Sequence, residues 1–192
     1  MTELDRTEFG TALDAMMGVY AAAMNVPAIQ LPGRRAIMES HVTNPAFRAF
    51  VVTAPSSNSH QAKIVAFSYG FRGGRGQWWH DMVRSALMVS YGPATAGEWL
   101  DDSFEVAELH VHPEYQHRGL GTSLLYRLTA ERPERTAVLS TMDSESAARR
   151  LYRSLGFVDL LTGYKFSGTN EAYAVMGAAL PLSRTRPPSP RY

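Results

Sequence analysis

The stretch Leu109-His110-Val111-His112-Pro113-Glu114-Tyr115-Gln116-His117-Arg118-Gly119-Leu120-Gly121-Thr122 constrains this chain more than any other. Its first residues read as a strand, Pro113 and Glu114 as a short turn, and Gly119 and Gly121 open a run that reads as a helix. The first N–H groups of a helix have no intrahelical partner, and the aligned peptide dipoles place partial positive charge there, so this end favours a phosphate. Gly119 and Gly121 remove the side chains that would hold a diphosphate away from the main chain. Arg118 and Thr122 can add a charge-assisted bond and a hydroxyl contact.

The elements around this segment follow from periodicity. Phe9, Leu13, Met16, Met17, Tyr20 and Met24 recur at helical spacing between Thr7 and Asn25, with Thr7 or Asp5 able to cap. A shorter helix is predicted from Gly33 to His41, ending before Asn44-Pro45. Residues 47–53 and 64–71 are strand-like and flank the polar turn 54–59, which makes them an antiparallel hairpin. A strand before Thr7 is barely visible. Residues 104–111, 119–132, 136–141 and 146–155 then read strand, helix, strand, helix. Two more strands, 157–166 and 172–180, flank the turn 167–170. The segment 72–102, with glycines at 73, 74 and 76 before Trp78-Trp79 and a helical pattern through Leu87, fits no simple continuation and reads as an insertion. One domain over 1–182 is expected, followed by a basic, proline-rich tail at 183–192 with nothing to bury.

Composition narrows the chemistry. With 192 residues, 19 basic against 18 acidic, a net charge of +1 and 45% apolar content, this is a balanced composition for one folded domain. No electrostatic partner for the whole chain follows, so neither nucleic acid nor a membrane is expected. The absence of cysteine excludes disulfides, thiolate metal sites and a cysteine nucleophile. His110 and His112 share a strand face, but without a third ligand at suitable spacing no metal is expected. The N-terminus is acidic where a secretory leader needs positive charge, and the longest apolar stretch, 15–24, is short of a membrane span. A cytoplasmic protein is the expectation.

Gln116-His117-Arg118-Gly119-Leu120-Gly121 resembles the diphosphate loop of the GNAT superfamily of acyl-CoA-dependent N-acyltransferases, which reads Gln or Arg, two residues, Gly, one residue, Gly or Ala. A second signature, Leu151-Tyr152-Arg153-Ser154-Leu155-Gly156-Phe157, lies downstream. The resemblance covers residues 104–166 closely and implies an α/β fold. Its sheet is mostly antiparallel and mixed, with a central splayed parallel strand pair and flanking helices. It implies acetyl-CoA as co-substrate, the diphosphate on the amides of Gln116, His117, Arg118, Gly119, Leu120, Gly121 and Thr122, and the pantetheine arm paired like a strand with Leu109, His110 and Val111. Tyr152 matches the family's general acid, which protonates the leaving thiolate. A backbone N–H near Val111 would polarise the thioester carbonyl. The family often has asparagine where this chain has Glu145.

An alkylamine is mostly protonated at pH 7 and must lose a proton before it can attack. Two carboxylates on the strand are candidates for the base, Glu105 and Glu108. Simple alternation sends them to opposite faces. The family's habit of carrying the base early on this strand favours Glu105, whereas a bulge near Leu109 would bring in Glu108.

The expected activity is acetylation of a primary amine, with a small molecule preferred as acceptor because Trp78, Trp79, His80, Asp81 and Trp99 of the insertion can fold over the site as a lid. A protein or peptide amine is the alternative, and a homodimer is compatible with the sequence. A non-catalytic acyl-CoA sensor would keep the loop without needing Tyr152. Arg72-Gly73-Gly74-Arg75-Gly76 has the composition of an RNA-binding segment, but a single copy reads more simply as a strand-to-helix turn.

Overall fold

The longest helix, α1 (Arg6–Met24), is set by its ends. Asp5 accepts from the Glu8 N–H and Glu8 accepts from the Asp5 N–H, both at 2.8 Å, a reciprocal capping box, and Asn25 closes the helix in the left-handed conformation at φ 50°. Phe9, Leu13, Met16, Met17 and Tyr20 are buried as the periodicity requires, whereas Met24, in the last turn, is exposed. This is a computed structural model that describes residues 1–55 and 62–182. Most of the predicted turn 54–59 and all of the tail 183–192 lie outside the described residues.

α2 (Leu31–His41) begins two residues before Gly33, because a 3-10 turn at Ala28–Gln30 leads into it and Pro32 sits in the first turn, where a missing N–H costs nothing. The strands are β1 (Thr2–Leu4), β2 (Arg48–Ala54), β3 (Lys63–Arg72), β4 (Ser103–Val111), β5 (Thr136–Met142), β6 (Val158–Tyr164) and β7 (Tyr173–Ala179). Between them lie α3 (Trp78–Tyr91), α4 (Pro93–Leu100), α5 (Leu120–Thr129) and α6 (Ala147–Ser154). The seven strands are hydrogen-bonded in the order β1-β2-β3-β4-β5-β7-β6. β4 and β5 run parallel, and their register covers only Ser103–Glu105 against Thr136–Val138, although both strands continue beyond it. β1 with β2, β2 with β3, β5 with β7 and β6 with β7 are antiparallel. This is the mixed sheet with a splayed parallel pair that the resemblance implies.

The chain divides into two compact units, one of residues Met1–Phe71 with Val106–Leu128, the other of Arg72–Glu105 with the residues from Thr129 onward. In the first, α1 and α2 bury Phe9, Leu13, Met16 and Met38 with Val51, Phe67, Tyr69 and Phe71 of β2 and β3. In the second, α3 and α4 bury Val83, Leu87, Ala96 and Leu100 with Val138, Leu160, Leu161 and Val175.

The second unit decides what the aromatic residues of 72–102 do. Trp79 packs on this core and donates its Nε1–H to Ser140 Oγ at 3.1 Å, and Trp99 packs on the same core. His80 is buried, with Nε2 at 3.2 Å from the Leu100 carbonyl. The His80 bond to Leu100 ties α3 to α4, and Trp79 and Trp99 stay half-buried on the core beside them. Trp78 is exposed. A Cβ on Gly177 of β7 would lie 2.7 Å from Trp99 Cε3 and 2.9 Å from Leu160 Cδ1, so glycine makes room for the indole. Gly177→Ala is expected to lower stability by about 1–3 kcal/mol through overpacking, read as a fall in Tm.

Candidate functional site

β4 leaves the sheet through a tied-down turn. The His112 N–H donates to the Val65 carbonyl at 2.9 Å, the Tyr115 N–H to the His112 carbonyl at 2.8 Å, and the Gln116 side-chain amide to the Val111 carbonyl at 3.0 Å. Tyr115 packs between two cations, with Lys63 Nζ and Arg118 Cζ each 5.2 Å from its ring centroid, and Arg118 also donates to the Glu114 carbonyl at 2.9 Å. These contacts fix the path into residues 116–119 without using the amides that follow.

Those amides are the notable feature of the turn. The Ser123 N–H donates to the Gly119 carbonyl at 3.0 Å, the first α-helical bond of α5, so the N–H groups of Leu120, Gly121 and Thr122 have no intrahelical acceptor. Gly119 has φ 77°, and a Cβ built there would meet nothing within 4 Å. Its backbone needs glycine, and the space before it is open. His117 is also left-handed, at φ 59°. The residues therefore fit a diphosphate, which would accept from Leu120, Gly121 and Thr122 at the positive end of α5. Gly119→Ala forces an L side chain into that conformation at about 1–2 kcal/mol. Its expected effect is a roughly tenfold weaker acetyl-CoA affinity by calorimetry.

The two candidate carboxylates are both buried, not solvated. The Gly73 N–H donates to the Ser103 carbonyl and the His112 N–H to the Val65 carbonyl. Glu108 lies in the first unit, where its carboxylate meets Arg34 Nε at 3.0 Å and His110 Nε2 at 2.5 Å. Burial acts to raise its pKa, but His110, Arg34 and His41 outweigh it and hold the carboxyl below the usual range. Glu105 lies in the second unit. Its Oε2 has no hydrogen-bond partner among the described residues, and burial pushes its pKa up to about 8.

Tyr152 is buried in α6, also in the second unit, with its ring 5.7 Å from that of Phe157. Ser146 caps this helix by accepting from the Arg149 N–H at 3.1 Å. Arg149 reaches Asp143, at the end of β5's exit, and Asp159 of β6 at 2.9 Å, which fixes the helix against both strands. Glu145, where the family often has asparagine, accepts from Arg153 at 2.8 Å. Among the described residues no three His, Cys, Asp or Glu side chains gather to hold a metal ion, and no helix is long and apolar enough to cross a membrane.

The acetyltransferase (GNAT) domain family matches residues 84–159. A GCN5-like protein acetyltransferase of Mycobacterium tuberculosis is 34% identical over 202 aligned residues, which cover 95% of this chain and 98% of that one. The chain belongs to the GNAT family of acetyltransferases. Its acetyl donor is accordingly acetyl-CoA. The fold is similar to that of the ribosomal-protein-S18-alanine N-acetyltransferase of Escherichia coli, with TM-score 0.60, 21% identity, and 98% and 96% of the two chains covered. It is also similar to yncA of Salmonella typhimurium, solved with its cofactor acetyl-CoA, with TM-score 0.56, 21% identity, and 100% and 99% covered.

Against this GNAT chain the sequence reading missed the residues around Glu108. Arg34 and His41 belong to α2, and Tyr20, which stands 5.2 Å below the Arg34 guanidinium and 5.1 Å from the His110 ring, belongs to α1. A signal was present: Arg34, Met38 and His41 recur at helical spacing, and Met38 is fully buried, so two polar side chains share the inward face of α2.

Proposed function

We propose that this chain transfers the acetyl group of acetyl-CoA to a primary amine carried by a protein. The observation that carries the acetyl-CoA part is the set of Leu120, Gly121 and Thr122 amides that have no intrahelical acceptor, behind a side-chain-free Gly119. What supports a protein acceptor is the relative named as a protein acetyltransferase, which matches nearly the whole chain. The small-molecule acceptor was expected from an aromatic lid, and Trp79, His80 and Trp99 also have packing roles against the core.

In this reading the Leu120–Thr122 amides hold the diphosphate, the edge of β4 at Leu109–Val111 aligns the pantetheine, and the Val111 N–H polarises the thioester carbonyl. Glu105 removes a proton from the amine nitrogen. A base works best when its pKa lies near the operating pH, and a carboxyl raised by burial to about 8 meets that condition far better than one held low by its neighbours, as Glu108 is. Tyr152 donates the proton that the departing thiolate needs.

The test is thiol release from acetyl-CoA with two acceptor sets, lysine-bearing and free-N-terminal peptides and proteins on one side, polyamines and amino acids on the other. Release with the first set alone is the expected result. Release with the small amines alone would replace the protein acceptor by a small one, and acetyl-CoA binding without release from either set would leave a sensor.

A further inference from the structure

His117 holds a backbone conformation that its own residue type does not favour. At φ 59° it is left-handed, like Gly119 at φ 77°, but it carries a Cβ, which in that conformation crowds the following carbonyl oxygen. Its side chain makes no hydrogen bond, ion pair or ring contact among the described residues that would offset the crowding. A conformation of this kind persists where the surroundings over-determine it.

Two side-chain ties flank His117. On the side before it, Gln116 is extended, at φ −66° and ψ 168°, and its side-chain amide donates to the Val111 carbonyl at 3.0 Å. On the side after it, Arg118 turns back to donate to the Glu114 carbonyl at 2.9 Å, with Cζ 5.2 Å from the Tyr115 ring centroid. Tyr115 is itself fixed. Its N–H donates to the His112 carbonyl at 2.8 Å, its ring meets that of His112 edge-on with centroids 6.1 Å apart, and Lys63 Nζ lies 5.2 Å from its centroid. The chain on both sides of His117 is therefore anchored to residues 111–115, and the amides that follow take their direction from it. All of these residues, the amides of Leu120, Gly121 and Thr122 included, belong to the first unit. The sequence assigns the Arg118 guanidinium to the diphosphate, whereas here it is engaged within the turn.

We propose that Arg118 and Tyr115 are positioning residues for acetyl-CoA, which hold His117 left-handed and thereby aim the Leu120, Gly121 and Thr122 amides. Arg118 acts on the coenzyme through the backbone and not as its direct charge partner. This rests on the reading that those amides take the diphosphate, and it adds to that reading the residues that keep them in place.

Rescue by glycine separates a brace from a ligand. In calorimetry of acetyl-CoA with the full chain, Arg118→Gln, which alters an exposed side chain, is expected to weaken binding roughly tenfold, the factor that corresponds to one L residue held left-handed. Tyr115→Leu removes no charge, yet it should weaken binding by a similar factor, and the two substitutions together by little more than either alone. Glycine takes the left-handed conformation without steric cost, so in a His117→Gly background each loss should shrink below about threefold. If the Arg118→Gln loss persists in that background while Tyr115→Leu stays close to wild type, Arg118 is a direct ligand and the brace is overturned. Losses from both that glycine does not relieve, or no loss from Arg118→Gln, would overturn it as well and leave the diphosphate reading intact. Affinity unmoved by Gly119→Ala would instead remove the diphosphate reading, and this proposal with it.

Discussion

Replacing Tyr152 by phenylalanine is expected to lower kcat roughly 100-fold while leaving the acetyl-CoA dissociation constant within about threefold of wild type. On the proposed roles the two numbers part, because diphosphate affinity is assigned to the Leu120–Thr122 amides and only the proton for the thiolate to Tyr152. Phenylalanine retains the ring that packs 5.7 Å from Phe157, so α6, held by Ser146 and by Arg149 between Asp143 and Asp159, keeps its anchors. Only the hydroxyl is lost. A donor to the thiolate must be protonated to act, so a fluorinated tyrosine at 152, being a stronger acid, should move the alkaline limb of the kcat profile to lower pH. A purely structural hydroxyl would leave that limb in place. Affinity and kcat falling together in Tyr152→Phe would indicate that the ring position, not its proton, matters.

Much of this was legible in local sequence because the determining interactions are local. The capping pair Asp5 and Glu8 lie three residues apart, the α1 stripe repeats on a single face, and Gly119 marks its left-handed backbone by its identity. The parts that escaped depend on residues distant in the chain. β1 is three residues long and has no periodicity of its own, so only its register against Ala49–Val51 makes it a strand. The partner of Trp99 could not be read locally, because Gly177, on a strand far along the chain, supplies the space for its ring. Glu108 itself was visible, but its partners Arg34 and His41 lie some seventy residues earlier, on a helix whose polar inward face is read correctly only once Met38 is known to be buried.

Glu105→Gln should make the protein more stable at alkaline pH and almost inactive. Burial raises the folded carboxyl from 4.5 to about 8, so between those values the folded chain holds a proton that the unfolded chain has released. The stability contributed by this group is fully present below the unfolded value and is lost as pH rises through the folded one. Glutamine has the shape of the protonated acid and cannot ionise, so the Tm of the variant should exceed that of wild type at pH 9, with the gap closing toward pH 5. Activity moves the other way, because the base must be deprotonated to accept. Wild-type kcat/KM should rise with pH to a plateau above about 8. The variant should lose roughly 100-fold on that plateau, together with the limb itself. A Tm gap that does not grow with pH would mean that Glu105 finds a partner in solution and titrates in the ordinary carboxylate range. A limb near pH 8 that survives in Glu105→Gln would assign the proton acceptor to another group. On the proposed role the raised carboxyl trades stability at alkaline pH for catalysis, and one substitution measures the two with opposite signs.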